Sequence, residues 1–178
     1  LESVCTLDKN YSAAFYNDSY FYATYDNKLW KVDPTSGMSC TDDAWSSGIE
    51  IRWHSIYGTT STPVFINDRI YFIEINGSDR LIASIDLNSG NKSTIALSKL
   101  SGLLIDDGWL THYEYSGVDY LFVTGYSAGL FDNGTGKTAT ISCVSLTPDG
   151  DFIQDSEKYI TIPDLTGTAS AFVVYLSL

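Results

Sequence analysis

The chain repeats itself at a step of fifty residues, and that spacing constrains the fold more than any other feature of the sequence. Phe15-Tyr16-Asn17-Asp18 leads into Phe21-Tyr22, and fifty residues on Val64-Phe65-Ile66-Asn67-Asp68 leads into Tyr71-Phe72. Phe72, Phe122 and Phe172 stand at the same step, with Tyr22 in the earlier position. The second half of each unit recurs as well. Leu29-Trp30-Lys31-Val32-Asp33 runs into Pro34-Thr35-Ser36-Gly37, Ala83-Ser84-Ile85-Asp86 into Leu87-Asn88-Ser89-Gly90, and Ile141-Ser142-Cys143-Val144-Ser145 into Leu146-Thr147-Pro148-Asp149-Gly150. Each copy reads as a strand, a polar turn, a returning strand and a glycine turn where positive φ is needed.

Short apolar or alternating segments bounded by Gly, Asn, Asp and Ser predict an all-β chain, with one helical turn near Leu97 to Leu104. Periods of this length and layout belong to propeller-like blades of antiparallel strands or to similar arrays. The 178 residues suit a single domain. Within it the units fall near 9–50, 51–100 and 101–150, with a partial fourth at 151–178, about three and a half repeats in all. A half-unit leaves an open strand edge, which invites pairing, so the chain is expected to be part of a larger propeller or to be completed by a second chain. A β-sandwich with similar hairpins is the alternative. The opening Leu1-Glu2-Ser3 has no initiator Met, as expected of a processed product.

Asn67-Asp68-Arg69-Ile70-Tyr71-Phe72 followed by Leu81-Ile82-Ala83-Ser84-Ile85-Asp86-Leu87-Asn88-Ser89-Gly90 resembles a blade of the loose TolB, PQQ and YWTD-type propeller superfamily. Ala13-Ala14-Phe15 through Tyr20-Phe21-Tyr22 and Leu29-Trp30-Lys31-Val32-Asp33 also resembles a hemopexin-like repeat. Either resemblance implies propeller blades of antiparallel strands, and the hemopexin-like one a set of four blades.

Charge narrows the partners. A net charge of -12, with lysines and arginines scattered singly, opposes binding to nucleic acid or an anionic membrane. The longest apolar runs, Gly102 to Ile105 and Ala171 to Leu176, are far shorter than the roughly 20 residues of a membrane helix. Of eight Asn, five head an N-x-Ser/Thr triplet: Asn10, Asn17, Asn76, Asn91 and Asn133. Chance supplies about two in a chain this rich in Ser and Thr, so the excess points to a secreted or extracellular glycoprotein. The three cysteines have no metal-binding spacing. Cys5 and Cys40 flank one unit and are expected to form a disulfide, which leaves Cys143 either buried or linked to another chain.

Catalytic patterns fail their own requirements. Gly125-Tyr126-Ser127-Ala128-Gly129 matches a nucleophile elbow, but both histidines, His54 and His112, precede Ser127, and a turn follows it instead of a helix. A serine hydrolase is thus the disfavoured reading. Gly134-Thr135-Gly136-Lys137-Thr138 lacks the leading glycine of a phosphate loop, where Phe131 stands. Asp42-Asp43, Asp106-Asp107-Gly108 and Asp149-Gly150-Asp151 do not follow the alternating calcium-ligand ladder and read as turns, so neither metal nor cofactor is expected. Trp45, Trp53, Trp109, Tyr113 and Tyr115 are candidate contact rings, since rigid amphipathic side chains give contact area at low entropic cost. The expected function is non-enzymatic recognition of a protein through aromatic and acidic loop residues, with carbohydrate binding as the alternative.

Overall fold

The structure, a computed structural model, describes the backbone of residues 6–42, 44–52, 63–101, 110–126 and 137–165, and the side chains of all of these except 126, 137–139 and 162–165. The described residues form twelve strands in three antiparallel sheets of four, each wound in chain order. The first sheet holds β1 (Ala13–Asn17), β2 (Tyr20–Tyr25), β3 (Lys28–Val32) and β4 (Ile49–Glu50). The second holds β5 (Val64–Ile66), β6 (Arg69–Asn76), β7 (Asp79–Asp86) and β8 (Lys92–Ala96). The third holds β9 (Leu110–Tyr115), β10 (Val118–Tyr126), β11 (Lys137–Ser145) and β12 (Lys158–Leu165). The only helical element among the described residues is one 3-10 turn, Ser98–Leu100, within the stretch where a helical turn is expected.

Turn chemistry sets the hairpins. Asp26 and Asn27 between β2 and β3 have φ of 51° and 55°, and Ser116 and Gly117 between β9 and β10 have 52° and 76°. Two successive positive φ values give the hairpin turn whose twist matches that of the strands. The glycine turn after the third strand recurs at Gly37, Gly90 and Gly150, with φ of 73°, 71° and 80°.

The register repeats from sheet to sheet. Leu29, Ile82 and Ile141 each lie opposite an isoleucine of the fourth strand: Ile49, Ile95 and Ile160. On their other side they face Thr24, Ile73 and Thr124. Two residues earlier on the second strand stand Tyr22, Tyr71 and Phe122. Period-two alternation then sends all of these to the same face of their sheets.

The second sheet lies between the other two. Ile70, Phe72, Ala83 and Ile85 point toward the first sheet and pack with Tyr22, Leu29, Trp45 and Ile51. Tyr71, Ile73 and Ile82 point the opposite way and pack with Leu121, Val123, Val144 and Phe152 of the third unit. Burial on both faces explains why Ile70 through Glu74 are all buried in a run instead of alternating. Each large apolar side chain so enclosed contributes about 1.5–3 kcal/mol relative to exposure.

One expectation changes. The boundary at residue 150 falls inside the third sheet, because Leu146 to Glu157 connect β11 to β12, so residues 151–165 complete the third unit. The remainder of the expected fourth unit, residues 166–178 with Phe172, lies outside the described residues.

Candidate interaction surface

The sheets are joined at the end of the stack that carries the glycine turns. Tyr71 donates its hydroxyl to the Gly150 carbonyl at 2.6 Å. Arg69 donates Nε to the Asp149 carbonyl at 3.2 Å and pairs with Asp151 at 2.7 Å. Between the first two sheets, the Trp45 indole donates to the Leu87 carbonyl at 3.1 Å. These contacts gather the turn residues of all three units at one end, and those turns are acidic.

Asp33 and Asp86 hold their turns by the same device. The Asp33 carboxylate accepts the Thr35 hydroxyl at 2.6 Å and the Thr35 amide at 2.8 Å. That of Asp86 accepts the amides of Ser89 at 2.7 Å and Asn88 at 3.0 Å. The Thr35 side chain and amide lower the pKa of Asp33, and the Ser89 amide lowers that of Asp86, each below the ordinary carboxylate value. Asp18 and Asp68, in the turns joining β1 to β2 and β5 to β6, and Asp149 and Asp155, between β11 and β12, are exposed. This end of the molecule therefore presents an array of carboxylates.

One flank of the stack is strapped. Residues 8–12 cross the outward face of the first sheet: Lys9 sits 4.2 Å over the Trp30 ring, and Tyr11 meets Tyr25 edge-on at 6.4 Å. Asp8 accepts from the Ser39 amide at 3.2 Å, the Tyr11 hydroxyl at 2.8 Å, the Ser39 hydroxyl and Lys9. Burial raises the Asp8 pKa, but hydrogen bonds from Lys9, Ser39 and Tyr11 outweigh it and hold the group well below the usual carboxylate range. Beneath the strap Ala23 and Val32 are buried on the outward face.

The expected contact rings separate. Trp45 is 0% exposed and stacks edge-on against Tyr22 at 5.4 Å, so it is a core residue and drops out of the surface. Tyr113 and Tyr115, 47% and 45% exposed, lie two residues apart and share the outward face of β9. Trp53, Trp109, Asn133, Cys5 and Ser127 lie outside the described residues. Of the other sequons, Asn10, Asn76 and Asn91 are exposed and Asn17 is half-buried at a turn. The two described cysteines, Cys40 and Cys143, are free, half-buried thiols whose pKa values burial raises. Cys143 lies opposite Phe122 and Lys158 on the outward face of the third sheet.

Sequence reasoning missed the exposed apolar residues Tyr16, Phe21, Met38, Tyr159 and Ile160. Among them Ile160 had a readable signal, its register match to Ile49 and Ile95. His112 pairs with Asp119 at 2.6 Å on the opposite face of the third sheet. The buried Glu74 is paired with Lys92 and accepts the Arg52 amide at 2.8 Å. Both pairs satisfy their carboxylates within the fold. Among the described residues there is no group of three or more metal-ligating side chains, and no helix is long and apolar enough to cross a membrane.

Comparison with protein-family models, with curated proteins and with solved structures finds no match to this chain.

Proposed function

We propose that the three sheets are successive blades of a propeller-like array, and that the chain is a non-enzymatic, extracellular recognition module that binds a protein through its turn end. The observation that carries this reading is the convergence of the acidic turns of all three units beside the exposed Tyr115 hairpin. Carboxylates on rigid turns steer a basic partner, and a fixed aromatic ring supplies contact area once it has docked. The exposed sequons at turns favour passage through a secretory route. Carbohydrate binding is the second reading, because Tyr113 and Tyr115 share one face at the spacing of a strand repeat.

The test is binding of the immobilised chain to a panel of extracellular proteins and to a glycan array, at low and high salt. Salt-sensitive retention of basic proteins, lost in Tyr115→Ala and Asp155→Asn, is the expected result. Retention on glycans alone transfers the function to the second reading, and retention on neither overturns both.

A further inference from the structure

Four positions on the central strands of each unit share one register. In the second unit Ile70 lies opposite Ile85 and Phe72 opposite Ala83; in the third Leu121 lies opposite Val144 and Val123 opposite Ser142. All eight are 0% exposed. The first set packs against the first sheet, and the apolar members of the second set pack against the second sheet, so each unit is covered here by the one before it. In the first unit the same register falls on Phe21 opposite Val32 and Ala23 opposite Trp30. Among the described residues no sheet lies over this face, yet Ala23 and Val32 are each 2% exposed, beneath the strap of residues 8–12. The strap is tied at both ends, the Asp8 amide to the Gly37 carbonyl at 3.3 Å and the Ser12 amide to the Thr24 carbonyl at 2.9 Å.

We propose that the strap is an end cap: it stands in for a preceding sheet, and the array does not continue through this face. The residue exchanged within the register supports this independently of the strap. Trp30 stands where the other units carry Ala83 and Ser142, small side chains that let two sheets approach closely. An indole there fills the space that a neighbouring sheet would need. It is also fixed in place: its Nε1 donates to the Tyr25 carbonyl at 3.2 Å, and Lys9 of the strap sits 4.2 Å over the ring. On another side Gly48, with φ of 66°, comes so close that a Cβ there would lie 2.7 Å from the indole. The strap in turn sends the exposed Asn10 to solvent, giving the array the polar outer surface that terminal units of such arrays need. The proposal does not rest on the recognition reading, since a capped array that binds no partner keeps its cap.

Release of the strap in the full chain tests it. Asp8→Ala combined with Tyr11→Ala removes the side chains that hold the strap to Ser39. The expected result is faster tryptic cleavage after Lys9, with far-UV circular dichroism unchanged. Fluorescence of the apolar-surface dye ANS should rise at least about twofold as Ala23, Trp30 and Val32 meet water. Lys9→Ala, which removes only the cation over Trp30, should give a smaller rise, and Lys9→Arg should behave as the wild type. Adding Phe21→Ser, on the capped face, should reduce the rise, whereas adding Tyr159→Ser on the third sheet should not. A strap that is freed with no gain in dye binding overturns the proposal. So does a gain indifferent to Phe21→Ser, or loss of the strand signal in both the double variant and Lys9→Ala, which would make the strap part of the first unit's own fold.

Discussion

The hydroxyl of Tyr71 on the second sheet reaches the carbonyl of Gly150 on the third at 2.6 Å, and both residues are buried. Tyr71→Phe leaves that carbonyl without the hydroxyl and should cost about 1–2 kcal/mol, read as a lower midpoint in urea denaturation. Gly150→Ala meets the same joint from the other side. Its φ of 80° disfavours any Cβ, and the added carbon would lie 2.6 Å from the Tyr71 hydroxyl oxygen. A loss of about 1–3 kcal/mol is expected.

Acid should loosen the contact between the second and third units through Glu157. This carboxylate accepts the Ser98 hydroxyl at 2.6 Å, the Ser142 hydroxyl at 2.9 Å and the Ser98 amide at 3.0 Å. Burial raises its pKa, and these hydrogen bonds outweigh burial and lower it below the ordinary value. A folded-state pKa below the unfolded one means that the unfolded chain binds the proton more readily. The stabilisation is therefore present above the unfolded carboxylate range, near pH 4, and is lost as pH falls through the lower folded value. Thermal denaturation from pH 7 to 2 should show an acid-side fall in Tm that Glu157→Gln makes shallower.

Trp45 is expected to affect stability and not binding. Truncation of this enclosed ring to Ala should cost about 3–5 kcal/mol, with Trp45→Phe costing less and losing the bond to the Leu87 carbonyl. A Trp45→Phe variant that folds but has lost partner binding would return the ring to the functional surface.

Tyr115→Ala should change stability by no more than about 0.5 kcal/mol, because nearly half of the side chain is already in water. Its effect should appear in partner retention. A large drop in unfolding midpoint would mean that Tyr115 packs the fold instead.

Production of the full chain in a eukaryotic secretory cell should yield glycan at Asn76 and Asn91, each exposed beside a positive-φ glycine turn. Intact mass before and after enzymatic deglycosylation reads this directly. An unmodified chain would remove the main support for a secretory route.

The repeat was legible because it is local chemistry. Asn-Asp turns, Gly37 and Gly90, and the short apolar segments around Tyr22 and Tyr71 are set by neighbours a few residues apart. Trp45 was not legible, because its burial depends on a loop folding back over Leu87 forty-two residues later, and nothing in its own neighbourhood alternates. The end of the third unit was misplaced because its β11–β12 connection is much longer than the short turn joining β7 to β8, which carries the fourth strand past the fifty-residue mark. The strap of residues 8–12 was hidden for a related reason: Asp8 finds Ser39, Lys9 finds Trp30, and no periodicity predicts either meeting.

The middle sheet is the one described layer with a neighbour on both sides, and this sets the order in which the amides of the molecule open to solvent. The first and third sheets can each detach by breaking one interface, whereas opening β6 and β7 requires both to give way. Hydrogen exchange should therefore be slowest at Ile70–Ile73 and Ile82–Ile85 and progressively faster outward. The chain would then come apart from its flanks and hold longest at its centre, as arrays coupled only between nearest neighbours do.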